Sequence, residues 1–175
     1  GGQSWTYGGA AQNITWTRNG TATGNVKLVY STDGGSTYPE SSPNHVIVAS
    51  VAAANQTYSW TIPDDLTTQA RVKIIHLGAP TADPDESDAN FAIKGVLVLT
   101  APNGSEDWRA DESKNITWTR TGSIALVNLY YSTNSGSTYP VTIASSVNGG
   151  NLSRAWTIPN TLSVTTARVK IEDNG

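Results

Sequence analysis

Asn13-Ile14-Thr15-Trp16-Thr17-Arg18 returns unchanged as Asn115-Ile116-Thr117-Trp118-Thr119-Arg120. Within each copy Ile and Trp point to one side of an extended chain, and Asn and Thr to the other. That period of two is the mark of a half-buried β-strand. The repetition continues outward. Tyr30-Ser31-Thr32 returns as Tyr131-Ser132-Thr133, and Gly35-Ser36-Thr37-Tyr38-Pro39 as Gly136-Ser137-Thr138-Tyr139-Pro140. Trp60-Thr61-Ile62-Pro63 returns as Trp156-Thr157-Ile158-Pro159, and Ala70-Arg71-Val72-Lys73-Ile74 as Ala167-Arg168-Val169-Lys170-Ile171. The period is about 100 residues, the size of one small domain and far longer than a solenoid unit.

Alternation extends through most of each copy. Val26, Leu28 and Tyr30 share a face, as do Tyr58, Trp60 and Ile62, then Ala70, Val72 and Ile74, then Phe91 and Ile93. The second copy repeats this with Val127/Leu129/Tyr131, Trp156/Ile158 and Val169/Ile171. Val, Ile, Thr, Tyr and Trp suit a pleated surface with one wet face. Turn signals separate the runs: Asn19-Gly20, Asp33-Gly34-Gly35, Pro63-Asp64-Asp65, Asn134-Ser135-Gly136 and Asn148-Gly149-Gly150. No window carries an apolar period of 3.6. The expectation is all-β: two tandem immunoglobulin-like antiparallel β-sandwiches, about seven short strands each. Trp16 and Trp60 should lie nearly buried in one core, Trp118 and Trp156 in the other.

The phase of the repeat is also informative. Asp88–Lys94 reads as the last strand of copy one, and Val96–Ala101 as the first strand of copy two. Copy one (1–94) has no counterpart of Val96–Ala101 before it, and copy two (96–175) none of Asp88–Lys94 after it. Repeat 1 is therefore expected to miss its first strand and repeat 2 its last. With no Met and a Gly start, the chain reads as a window on a longer repeating polypeptide. Only Gly95 separates the two strand runs, so a narrow range of angles and an end-to-end rod are expected rather than a flexible tether.

Composition narrows the function classes. The chain has no Cys, which excludes disulfide frameworks, thiol catalysis and Cys-based zinc sites. A net charge of −3 argues against nucleic acid or an anionic membrane as a charge-driven partner. No run approaches the apolar length of a membrane-spanning helix, so no membrane insertion is expected. Ser and Thr are abundant and Lys is scarce, in keeping with an extracellular setting.

Taken in order, Pro102-Asn103-Gly104, Trp108, Asn115–Thr119, Tyr131–Thr133, Trp156–Pro159 and Ala167–Ile171 resemble an Ig-like tandem repeat of large secreted bacterial and archaeal cell-surface proteins. The set is also similar to the N-terminal domain of fungal Ser/Thr-rich GPI-anchored cell-wall proteins. The resemblance covers essentially the whole chain and departs from it at the ends and at the insertion Glu40–His45. It implies a structural or adhesive module at the cell surface and carries no catalytic residues.

Four groups of residues are candidates for sites. Asp83, Asp85, Glu86 and Asp88 crowd carboxylates into one short loop before the junction, with Glu106-Asp107 following in the next copy. Ca²⁺ needs six to eight oxygens, often from several carboxylates. A Ca²⁺ ion stiffening the junction is one reading, a solvated acidic loop the other. No other cofactor is implied. Trp5 and Trp108 occupy equivalent places outside the alternating runs. They either stack on sugar rings, making a carbohydrate-binding face, or plug the open ends of the sandwiches. Asn-x-Ser/Thr sequons occur at Asn13, Asn19, Asn55, Asn103, Asn115 and Asn151. Of these Asn19, Asn55, Asn103 and Asn151 fall in predicted turns, accessible to glycosylation.

Catalysis is the weakest reading. The only histidines, His45 and His76, have no counterpart in the other copy, and no nucleophile elbow, metalloprotease motif or phosphate-cradling loop occurs. Two functions from different classes stay open. One is a structural repeat of an extracellular filament, stalk or sheath, with copies of itself or neighbouring repeats as partners through strand complementation. The other is an adhesin, or a non-catalytic carbohydrate-binding module of a larger secreted protein, with surface glycans as partners.

Overall fold

The computed structural model describes residues 1–18, 24–78, 84–160 and 164–175. The chain forms two compact units, Gly1–Lys94 and Gly95–Gly175. Both are built from strands, apart from single 3₁₀ turns at Ala53–Asn55 and Gly149–Asn151.

Unit 1 contains β1 (Ser4–Thr6), β2 (Gln12–Thr15), β3 (Asn25–Ser31), β4 (Val46–Ala52), β5 (Thr57–Trp60), β6 (Thr67–Leu77), β7 (Asp85–Glu86) and β8 (Phe91–Lys94). One sheet has the order β1-β8-β6-β3-β4, with β7 also paired to β6, and β2-β5 forms the other. All pairs are antiparallel except β1 with β8, which is parallel. Between the sheets Tyr30, Trp60, Ile62, Ala70, Phe91 and Ile93 form a buried core, flanked by Trp5, Ile14, Tyr58 and Val72. The inward residues are the ones the alternation places on a common face.

Unit 2 contains β9 (Val96–Ala101), β10 (Ser113–Thr121), β11 (Leu126–Ser132), β12 (Val141–Asn148), β13 (Ser153–Thr157) and β14 (Arg168–Asp173). Its sheets are β13-β10-β9 and β12-β11-β14. Ile116, Trp118, Val127, Leu129 and Ile158 are buried between them. Gly95 opens this unit because space is tight there. A Cβ on it would lie 2.6 Å from the Thr121 carbonyl oxygen and 2.9 Å from Ile124.

The repeat is kept in detail. β2, β3, β4, β5 and β6 correspond to β10, β11, β12, β13 and β14. The ladder slips at matching places, around Leu28 against β4 and around Leu129 against β12. Trp16 Nε1 donates to the Ala53 carbonyl at 3.1 Å, and Trp118 Nε1 to the Gly149 carbonyl at 3.0 Å. The hairpin after β3 is tied by Ser31, whose buried Oγ accepts from the amides of Asp33 (3.2 Å) and Gly35 (3.0 Å). Ser132 does the same for Asn134 (3.1 Å) and Gly136 (2.9 Å).

Seven strands per copy is not what forms. Unit 1 has eight and unit 2 six among the described residues. Among the described residues β9 has no counterpart in unit 1, and β1, β7 and β8 have none in unit 2.

Candidate functional site: a groove in each sandwich

These unequal strands leave one edge of each sandwich uncovered, and the edges are different ones. In unit 2, β9 lies along β10, with Leu99 opposite Trp118 and Leu97 opposite Arg120. In unit 1 no strand among the described residues lies on the same side of β2, and a groove of about 780 Å³ opens there. Ile14, Trp16, Leu28, Val72, Ile74 and His76 line it. In unit 1, β8 lies along β6, with Phe91 opposite Ala70 and Ile93 opposite Thr67. In unit 2 no strand among the described residues lies on the same side of β14, and a second groove of about 780 Å³ runs past Leu99, Trp108, Tyr131, Trp156, Arg168 and Val169.

Burial follows these edges residue by residue. Trp118, under β9, is 2% exposed, and Trp60, beside Phe91, is 5% exposed. Their counterparts Trp16 and Trp156 are only partly buried. The expectation that all four indoles are nearly buried therefore holds for one in each unit and fails for the other. The reason is the same in both: the ring faces the core correctly but lacks its covering strand. Ala70 is fully buried under Phe91, whereas Ala167 is exposed. β6 continues back to Thr67, but β14 begins only at Arg168, because a strand needs a partner to hold its extended backbone.

The aromatic centre of unit 1 is built around Phe91. Its ring lies 4.4 Å from Trp5 and 6.4 Å from Trp60, while Trp5 and Trp60 meet edge to face at 5.8 Å. Unit 2 keeps the frame, with Trp108 and Trp156 at 6.3 Å and Tyr131 against Trp156 at 5.3 Å. Trp5 and Trp108 therefore stand over their core indoles. Trp5 does not lie outside the strands as the sequence suggested: β8 offers it an edge, and Ser4–Thr6 pairs there as β1.

Polar contacts differ in the same way. Arg71 Nε donates to Asn90 Oδ1 at 2.7 Å, and its guanidinium forms an ion pair with Glu86 at 3.3 Å. Tyr38 donates to the same carboxylate at 2.8 Å; burial, then Glu86, pushes its phenol pKa up. The counterpart of Arg71 in unit 2 is Arg168, which lines the second groove and has no ion pair or hydrogen bond to its guanidinium among the described residues. Glu106, at the rim of that groove, accepts from the amides of Asn103 (2.8 Å) and Gly104 (2.7 Å), which lower its pKa and fix the loop before Trp108.

The other predicted site residues are placed as follows. Asp83 and Asn19 lie outside the described residues. Asp85 and Glu86 form β7 rather than a loop, because their backbone pairs with Lys73 and Ile74, and Glu86 is engaged by Arg71 and Tyr38. With Asp88 they line the rim of the first groove. No three His, Asp or Glu side chains gather as metal ligands among the described residues. Asn55 and Asn151 end the two 3₁₀ turns and Asn103 follows β9; all three are exposed. His45 stacks on Tyr30 at 4.9 Å. His76 sits in the first groove with both ring nitrogens buried and unpartnered among the described residues.

Sequence reasoning did not single out Phe91 or Arg168. Each carried a signal. Phe91 is the only Phe in the chain, and Arg168 repeats Arg71 without repeating its partners.

No known protein family matches the chain, and no curated protein does. Among solved structures, one of Clostridium thermocellum CbhA fibronectin(III)-like modules is similar over 99% of this chain and 82% of that one, at 18% identity and a TM-score of 0.32. No helix among the described residues is long and apolar enough to cross a membrane.

Proposed function

We propose that the chain is a non-catalytic structural repeat pair of an extracellular filament, stalk or sheath, in which strands of neighbouring repeats close the open sandwich edges. One observation carries this reading. Among the described residues each unit is without the covering strand that the other possesses, so the two grooves and the strands β8 and β9 form matched sets. An edge with unpaired backbone groups beside partly exposed indoles invites strand addition. Absence of Cys and the abundance of Ser and Thr fit assembly outside the cell.

Sedimentation velocity over a wide concentration range tests the reading. Association that grows with concentration is expected. A chain that sediments as a monomer throughout would refute it.

A second reading draws on the Trp108–Trp156 groove, which combines aromatic faces with Arg168 and Glu106 as a sugar site would. This would make the chain an adhesin or a carbohydrate-binding module. It is less favoured because Trp5, in the equivalent place, is set by packing on Phe91 and Trp60.

A further inference from the structure

The internal repeat specifies what the second groove takes. Resting on the polymer reading above, we propose that the Trp108–Trp156 groove is a receptor for an extended segment with the sequence character of Asp85–Lys94, supplied by a neighbouring copy of the repeat. Unit 1 shows this segment in place, and unit 2 presents uncovered the counterparts of several groups that the segment contacts there.

The correspondence runs from the centre outward. Phe91 fills the space beside Trp5 and Trp60 and covers Ala70. In unit 2 Trp108 and Trp156 already hold nearly the same spacing, 6.3 Å against 5.8 Å, and Ala167 is exposed where Ala70 is covered. Two residues on, Ile93 pairs with Thr67; the corresponding Val164 is 42% exposed. On the other side of the aromatic residue, Asn90 and Glu86 take the Arg71 guanidinium. Arg168 offers the same donors to the same groove. Tyr139 stands where Tyr38 donates to Glu86, and Lys170 lies over its ring at 5.3 Å as Lys73 lies over Tyr38 at 5.1 Å. The Glu and Asn of that segment would therefore meet the Arg168 guanidinium, in a groove that Glu106 and Asp107 also line, and its aromatic side chain would meet a preformed aromatic cleft. Little reorganisation is needed, which lowers the cost of binding.

The geometry also sets polarity. β8 runs antiparallel to β6 and parallel to β1. The incoming segment should run antiparallel to β14 and parallel to the backbone around Trp108, with its Phe opposite Ala167. Ordinary β-augmentation fills one sheet edge; here the strand would be inserted between two.

The test is a synthetic peptide with the sequence of Pro84–Gly95, titrated calorimetrically into the full 175-residue chain. Saturable one-to-one binding is expected, with protection of the β14 amides and those around Trp108 from hydrogen exchange. A peptide carrying Phe91→Ala should bind at least tenfold more weakly, and Arg168→Ala in the chain should also weaken binding. A fusion guards against a weak free peptide. Gly175 occupies the place of Gly78, so residues 79–94 appended after it reproduce the unit 1 connection and raise the local concentration. That fusion should melt several degrees higher, and the gain should vanish with Phe→Ala in the extension. Three results would overturn the proposal: neither peptide nor fusion having an effect, effects indifferent to the Phe, or protection at Gln12–Thr15 instead. A cellulose or chitin oligosaccharide protecting these amides when the peptide does not would overturn it too. If the chain stays monomeric but binds the peptide, the polymer reading fails and the receptor groove stands. If the chain associates but ignores peptide and extension, the reverse holds.

Discussion

Phe91→Ala should remove most of what closes the first sandwich. Phe91 is 4% exposed and touches Trp5 at a ring separation of 4.4 Å. A buried aromatic side chain covers roughly 150–250 Å². At about 25 cal/mol per Å², and leaving Cβ in place, the transfer loss is about 3–4 kcal/mol. A cavity beneath two indoles adds to this, so about 4 kcal/mol is expected, within the ordinary range for Phe→Ala in a core. That is a large part of the roughly 5–15 kcal/mol that holds a domain folded. With a urea m-value of roughly 1–2 kcal/mol/M, the midpoint should fall by roughly 2–4 M. Urea unfolding followed by tryptophan fluorescence reads it, since Trp5 and Trp60 lie within the affected cluster. Phe91→Leu should cost only about 1–1.5 kcal/mol, because most of the volume is kept. A loss under about 1 kcal/mol for the alanine variant would refute the reasoning. Phe91 would then not be the plug of unit 1, and the groove of unit 2 could not be read as lacking it.

Ser31→Ala and Ser132→Ala should each destabilise their own hairpin by about 1–3 kcal/mol, because a buried hydroxyl that accepts from two amides is lost; chemical denaturation of each variant measures it. Asp33 is held down to about 2, chiefly by the Ser31 and then the Thr37 side-chain hydrogen bonds. A depressed carboxylate stabilises above its unfolded pKa and loses that contribution as pH falls, so the hairpin should weaken between about pH 4 and pH 2. Asp33→Asn should erase this acid step with little change near neutrality, since unit 2 builds the same loop with Asn134; melting curves at pH 5 and pH 2 decide. Gly149→Ala should cost about 1–3 kcal/mol, because a Cβ there would lie 2.5 Å from the Ile124 carbonyl oxygen, and an unchanged melting temperature would contradict this.

The sandwich was legible because burial on one face writes itself as alternation, and the repeat wrote it twice. Ile116 and Trp118, two apart in sequence, are both buried as that pattern requires. Their twins Ile14 and Trp16 carry the same pattern and are only partly buried. Alternation reports which face turns inward, and it is silent on whether a neighbouring strand completes the cover. That depends on long-range pairing, as with β8 between β1 and β6. For the same reason Trp5 read as lying outside the strands, although it pairs with β8 across most of unit 1, and Asp85-Glu86 read as an acidic loop, although its backbone pairs with Lys73 and Ile74. The identity of the residues that mark the grooves became visible only by comparing twin positions in three dimensions: Ala70 with Ala167, and Arg71 with Arg168.

The most direct measurement is imaging of the native assembled material at a resolution that separates strands. The account predicts an additional strand antiparallel to Arg168–Asp173, with an aromatic side chain seated against Trp108 and Trp156, and another along Gln12–Thr15 covering Trp16. Repeats joined through other surfaces, with both grooves open to solvent, would contradict it.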